Sequence, residues 1–424
     1  MDGELRQYCR LIKEYVYHNY RSMFREPSGA LKYRFIVPGS EAYANCLWDW
    51  DSFWADVALH QIVADAGDDA QKAEIFEYGK GCVLNFLEYC SCGWIPICII
   101  GGDSAPPKAP DAPARVNCHK PFLAQHAAFL IRRMGGDAEW LREKFPRMQH
   151  YHLLYRGHFR DRATGLYFWA NDFAVGVDND PCTMDRPDFS SASIYLNSVL
   201  YREFLAGAYI ADQLRQEGAA ASYRQWAAEL REAVRKHCFD EWTGFFYSCD
   251  LALKPRQEHP EKVTLHFGMP REWDCLIMRI PVWSGFLALW SGIADGREAA
   301  RCAEMWRDDR TFRAAYGIRT LSATEKMYSL NVSCNPSNWL GPVWGIGNYA
   351  VYRAMKQYGY EDDARELAEK TVRLFGRDVR RFGAFHEYYQ PESGEPLSFI
   401  GFQSWNYLVV NMIADLEGRD AVTE

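Results

Sequence analysis

Residues 51–60 read Asp-Ser-Phe-Trp-Ala-Asp-Val-Ala-Leu-His, a segment apolar or aromatic nearly all the way round a helix. A helix of that kind must be buried, whereas one with a polar face lies against solvent. The same character recurs at Lys120–Ile131, Pro281–Trp290 and Gly401–Ile413. Between these run amphipathic segments with a charged face, such as Ala219–Cys238 and Glu361–Asp378. The periodicity predicts helices over 3–24, 50–66, 70–91, 119–134, 138–157, 190–216, 219–237, 281–293, 296–308, 342–358, 361–376 and 401–416. Even-numbered ones read as inner and odd-numbered ones as outer. Six inner helices wrapped by six outer ones make an all-α (α/α)6 toroid, here a single domain over 1–424.

The connections sharpen this. Inner-to-outer links are short, as at Met134–Asp137, Glu217-Gly218, Ala294–Gly296 and Tyr358–Glu361. Outer-to-inner links are long, near 92–118, 158–189, 238–280, 309–341 and 377–400. Long loops in a compact domain are usually functional, and in an up-and-down ring they share one face. That face should carry the site. The link at 238–280, with Phe245–Leu251 and Val263–Gly268, predicts a small β-hairpin near 240–268. Ala105–Ala114, rich in proline, reads as a rigid rim loop.

Composition narrows the partners. With 48 basic and 56 acidic residues the net charge is −8, and the basic residues form no block. Nucleic acid and anionic membranes both need a basic face, so neither is expected. The segment Met1–Val16 reads as an amphipathic helix rather than a leader, and no apolar run is long enough to span a membrane. The thirteen irregularly spaced cysteines show no paired spacing for zinc, so no metal or other cofactor is expected, and the protein reads as reduced and cytoplasmic. Aromatic residues make up 15% of the chain, many beside Asp, Asn and Gly in loops. Aromatic faces stack on sugar rings while carboxylates and amides bind hydroxyls. That combination points to a small saccharide or glycoside.

Four clusters precede inner helices. In Leu47–Trp54, Asp49 and Asp51 interleave with Trp48, Trp50 and Trp54. Either aspartate could cap the helix, and Asp51 is the choice for a sugar contact. Tyr167–Ser191 carries Asp172, Asp178, Asp180, Asp185 and Asp188. A proton donor for hydrolysis must be a carboxylic acid with a raised pKa, and Asp178 has the apolar flank and acidic neighbours that raise one. Asp172, Asp180 and Asp185 are rivals, each of which could be a turn residue. Asn335–Trp344 brings Asn338, Trp339 and Trp344, a sugar subsite or a buried pair closing the barrel. In His386–Gly394, Glu387 beside His386 is a better second carboxylate than Glu392, which belongs to a turn. Asp178 precedes the third inner helix and Glu387 the sixth, so they approach from opposite sides with space for a water. Inverting glycosidases need this, with carboxyls about 6.5–9.5 Å apart. Lys120, Asn179, Arg271, Trp273 and Trp405 complete the expected lining.

These clusters, in this order, resemble family 63 glycoside hydrolases: processing α-glucosidase I and its bacterial relatives, in one clan with the trehalases. Trp48–Phe53 is similar to that family's tryptophan–aspartate motif. Gly176–Pro181 resembles its G-M-D-N-S-P segment, which implies that Asp178 is the general acid. Asn338–Trp344 resembles its N-W-R-G-P-I-W, and Glu387–Gly394 its E-x-Y-N-P-x-T-G, which implies that Glu387 is the general base. The chain has Ala174-Val175 where the family usually has Glu-Ser, and Leu340 where it usually has Arg. The resemblance implies an inverting exo-glycosidase, an α-glucosidase first. A hydrolase of mannosylglycerate or glucosylglycerate is the alternative, needing Lys120 or Arg271 as the cation for the carboxylate. A sugar epimerase would want paired histidines, and an inactive saccharide-binding protein would bind without turnover.

Overall fold

The computed structural model describes residues 1–102, 105, 107–253, 273–331 and 336–424. Its helices are α1 (Gly3–Asn19), α2 (Asp49–Ala66), α3 (Asp69–Glu88), α4 (Leu123–Arg133), α5 (Phe145–His158), α6 (Ile194–Gln213), α7 (Glu217–His237), α8 (Leu287–Trp290), α9 (Gly296–Arg307), α10 (Gly345–Gln357), α11 (Glu361–Phe382) and α12 (Val409–Leu416). Tight 3-10 turns, Trp283–Phe286 and Ser404–Leu408, lead into α8 and α12. The even-numbered helices pack in a closed ring, α2 on α4, α4 on α6, and so on until α12 returns to α2. Outer helices lean on them: α3 on α2 and α4, α7 on α6, α11 on α10, and α1 on α11. This is the (α/α)6 toroid.

The two helix types divide as their sequences dictate. In α2 every residue from Asp49 to Val63 is buried. In α11 the buried stripe is Ala364, Leu367, Ala368, Val372, Phe375 and Val379, with Glu361, Asp362 and Asp363 at its start and Arg380 and Arg381 at its end. Those charges complement the helix dipole. Each large apolar side chain so buried contributes roughly 1.5–3 kcal/mol. Helix α4 has no capping side chain of its own. Its first amides are instead taken by the buried Glu203 of α6, which accepts from Ala124 N at 2.7 Å and Gln125 N at 3.1 Å. His152 of α5 holds the same carboxylate at 3.0 Å. One residue thus ties three helices together.

Most inner helices start later than the periodicity predicts: 123 rather than 119, 194 rather than 190, 345 rather than 342. The apolar residues before them form short rim strands or turns instead. Cys46–Trp48 pairs with Cys98–Ile100, Val343–Trp344 with Tyr388–Tyr389, and Ser191–Ala192 with Cys249–Asp250, which also pairs with Leu276–Ile277. All but the last of these ladders join two long connections, so the open face is a laced rim. A short hairpin pairs Phe239–Asp240 with Phe245–Phe246, while the expected partner strand of Phe245–Leu251, at 263–268, lies outside the described residues. Helix α5 begins at 145 rather than 138, after a 3-10 turn at Glu139–Leu141, where Pro146 sits in its first turn. No helix among the described residues is long and apolar enough to cross a membrane.

Candidate active site

At the centre of the laced face lies a cavity of about 110 Å³. With the stretch 24–48 ahead of α2 counted as the first long connection, five of the six reach it: Pro38, Tyr43 and Trp48 from the first, Ile97 and Lys120 from the second, Ala174, Gly176 and Asp178 from the third, Ser337 and Trp339 from the fifth, Glu387 and Phe402 from the sixth. Trp50, Asp51, Trp344 and Trp405, at the inner-helix starts, close its floor.

Aromatic rings build the wall. Trp283, Trp339, Trp344 and Tyr388 stack in one column, with successive centroids 5.8, 4.0 and 4.7 Å apart. Trp50 and Trp405 meet at 4.9 Å beside it. The indole N–H groups of Trp48 and Trp405 have no acceptor among the described residues. A buried donor left unpaired costs about 1–3 kcal/mol.

Of the five aspartates in the third connection, Asp178 alone lines the cavity. Asp180 is a turn residue: its carboxylate accepts from Cys182 N at 2.8 Å, and burial raises its pKa to about 6. Asp172 and Asp185 bond each other outside the cavity, through Asp185 N at 3.2 Å. The turn that presents Asp178 uses left-handed backbone at Ala174 (φ 59°) and Gly176 (φ 91°). A side chain at 176 would press on the Lys120 stem at 3.0 Å, so glycine is required there. Asn179 then clamps the turn to the fifth connection. It donates to Asn338 Oδ1 at 3.0 Å and accepts from Trp339 N at 2.6 Å.

Glu387 reaches the cavity because its neighbours are held away from it. His386 is anchored outward on Asp378 of α11, through its ring at 3.0 Å and its amide at 2.8 Å. Tyr388 is fixed by the ladder with Trp344. Alternation along the strand sends Glu387 inward, where it is 5% exposed. Tyr43 donates to its Oε1 at 3.1 Å and Ser398 to its Oε2 at 3.0 Å. Burial raises its pKa to about 7, against those two hydroxyls and with help from the charge of Asp178.

The two aspartates of the first cluster part company. Asp49 is structural: it accepts from Trp50 N at 2.7 Å and Lys120 N at 2.8 Å, and its Oδ1 holds the Lys120 ammonium at 2.8 Å. Asp51 faces the cavity, accepts from Ser404 at 3.1 Å, and is raised by burial to about 8 against the opposing charge of Lys120.

Several expected contacts are therefore corrected. Trp54 sits in the core against Phe122, Trp290 and Tyr349, one turn below the cavity floor. Asn338 is fully buried and spends its amide on Asn179, Leu340 N and Ser329 O. Asn179, His386 and Asp49 likewise hold loops rather than line the cavity. Trp273 is 54% exposed and away from the lining; Arg271 lies outside the described residues. Trp48, Asp51, Lys120, Asp178, Trp339, Trp344, Glu387 and Trp405 are brought together. Sequence reading missed Tyr43, Ser398, Ser404 and Phe402. Only Tyr43 had a signal, as an aromatic five residues before the tryptophan–aspartate motif.

A family model, the mannosylglycerate hydrolase MGH1-like glycoside hydrolase domain, matches residues 43–407. The chain belongs to this family. The four motifs implied the same grouping. Within it, the chain is 23% identical over 308 residues to the probable mannosyl-oligosaccharide glucosidase of Schizosaccharomyces pombe, covering 70% of this chain and 34% of that protein. It is 36% identical over 114 residues to the mannosylglycerate hydrolase MGH1 of Selaginella moellendorffii, covering 26% and 20%. The matched stretches thus span about a third and a fifth of these two relatives. The family-63 mannosylglycerate hydrolase of Thermus thermophilus, solved with Tris and D-glycerate, superimposes with a TM-score of 0.67 at 18% identity, over 95% of this chain and 99% of that one. That likeness establishes the shared toroid.

Proposed function

We propose that this glycoside hydrolase domain is an inverting exo-glycosidase acting on a small α-linked saccharide or glycoside, an α-glucoside first. The observation that carries the reading is that Asp178 and Glu387, from opposite connections, line one tryptophan-walled cavity. Asp178 would protonate the leaving oxygen. Glu387 would take a proton from water on the opposite face of the sugar, as inversion requires. A base with a pKa near 7 suits this task at neutral pH, and the Tyr43 and Ser398 hydroxyls fix its plane. In the floor, Trp50 packs on the buried Phe122, which in turn meets Phe53 and Trp54. A cavity closed below accepts a chain end, which supports exo action. Asp51, protonated at neutral pH, would offer a hydrogen bond to a sugar hydroxyl.

A second reading, hydrolysis of mannosylglycerate or glucosylglycerate, is favoured by the family description and by the Selaginella relative.

The test is incubation with trehalose, kojibiose, nigerose, glucosylglycerate and mannosylglycerate. Free sugar should appear from at least one. Both Asp178→Asn and Glu387→Gln should abolish its release. Saccharide binding without turnover in the wild type would instead identify an inactive binding protein.

A further inference from the structure

Asp178 occupies the corner of a tight turn. Asp180 N donates to Val177 O at 3.0 Å, which makes Asp178 and Asn179 the two central residues of a β-turn. The ends of the turn are sunk in the protein, Val177 and Asp180 each 4% exposed. One backbone hydrogen bond closes the turn at its base; the orientation of its corner must be set by side chains.

Asn179 supplies such a hold. Its amide nitrogen donates to Asn338 Oδ1 at 3.0 Å, and its amide oxygen accepts from Trp339 N at 2.6 Å. The anchor is rigid. Asn338 is fully buried; its Oδ1 also accepts from Leu340 N and its amide nitrogen donates to Ser329 O, each at 3.0 Å. Trp339 stacks on Trp344 with ring centres 4.0 Å apart and planes 9° from parallel. Trp344 Nε1 in turn donates to Asn338 O at 2.8 Å. The position asks for a carboxamide. An aspartate would turn an acceptor toward Asn338 Oδ1, and serine or alanine is too short to meet both partners.

Asn179 and Trp339 lie 160 residues apart in the chain, so these two bonds fix a distance that the backbone by itself leaves open. It is the distance between Asp178 and the tryptophan wall. A sugar ring resting on that wall has its leaving oxygen at a set place, and an acid must come within hydrogen-bond reach of it. A misplacement of about 1 Å can cost 10²-fold in rate.

We propose that Asn179 is a positioning residue for Asp178, setting the acid in register with the tryptophan wall through its paired bonds to Asn338 and Trp339. The inference rests on the hydrolase reading above and adds to it a residue outside the cavity lining.

The experiment compares two leaving groups in the full chain, wild type against Asn179→Ala. One substrate is the O-glycoside of the panel above that the wild type hydrolyses. The other is the α-glycosyl fluoride of the same sugar, whose leaving group departs as an anion and needs no proton. Asn179→Ala should lower kcat for the O-glycoside about 10²-fold with KM within about threefold, and keep fluoride hydrolysis within about threefold of wild type. Asn179→Ser should show the same selectivity, and it serves if the alanine variant does not fold. Equal losses on both substrates, or no loss on either, would overturn the proposal and leave the hydrolase reading standing. A loss confined to KM would make Asn179 a substrate contact and overturn it as well. With no O-glycoside turned over by the wild type, the hydrolase reading fails and the proposal with it, since there is no acid to position.

Discussion

Two buried glutamates at opposite ends of the barrel behave in opposite ways. Glu387, on the open face, is held by two hydroxyls, and burial raises its pKa to about 7. Glu424, at the other end, is partly exposed as a residue but has its side chain fully covered. There the desolvation is outweighed by Arg353 and Arg202, and its pKa falls to about 2. Trp290 Nε1 at 2.8 Å and Tyr349 Oη at 3.1 Å complete that clamp. Burial alone does not define a catalytic carboxyl. A carboxylate given cations is locked in its charged form and serves the fold; one given only neutral donors titrates near neutrality and can move a proton. Asp49 and Asp51 differ in partners two residues apart, the first holding the Lys120 ammonium at 2.8 Å and the second accepting from Ser404 at 3.1 Å.

The largest effects should separate these classes. Glu387→Gln and Asp178→Asn should each lower kcat at least 10³-fold with an unchanged circular dichroism spectrum. Glu424→Ala should leave kcat of the folded protein within about twofold. It should cost about 3–5 kcal/mol in denaturant unfolding, because two arginines lose their buried partner. Activity lost with Glu424→Ala but kept with Glu387→Gln would reverse the assignment. Lys120→Met belongs with Glu424, since it strands Asp49, and a loss of similar size is expected.

The pH dependences should run in opposite directions. Glu387 must be ionised to act as base, so kcat/KM should fall as pH drops through about 7. Its folded pKa lies above the ordinary 4.5, so it favours the folded state at low pH and that stability is lost as pH rises from about 5 to 7. Glu387→Gln should therefore be more stable than wild type at pH 8, by about 1–3 kcal/mol, and no more stable at pH 4. Glu424 has the reverse sign. Its folded pKa is depressed, so its contribution is present above about pH 5 and disappears as pH falls toward 2. Melting curves of Glu387→Gln and wild type across pH 4–8 check this, and parallel curves would refute the raised pKa.

A smaller effect should follow from Tyr43→Phe. Tyr43 lowers the pKa of Glu387, so removing its hydroxyl should move the acid limb of the pH–rate profile upward by a few tenths to one unit. At pH 8.5 the variant should approach wild-type kcat. A uniform loss at every pH would mean that Tyr43 acts on the substrate instead.

The fold was legible because the two helix types differ so strongly in composition; Asp51–His60 and Glu361–Asp378 could not exchange places. Helix starts were less so, since apolar residues such as Ser191–Ala192 and Val343–Trp344 read as helix but pair as rim strands with partners more than 40 residues away. In the site, Asp178, Glu387 and most of the tryptophans were legible from their loop positions. Asn338 and His386 look like ligand contacts locally, but their side chains are engaged by Asn179 and Asp378. Ser398 and Ser404 had no local signal at all. Their roles arise only when the sixth connection folds over Glu387 and Asp51.

The most direct test of the two-carboxyl account is proton NMR of the first sugar released from an α-glycoside, recorded before mutarotation. The account predicts the β-anomer, absent from both Asp178→Asn and Glu387→Gln. Release of the α-anomer, or β-anomer release that survives either substitution, would contradict it.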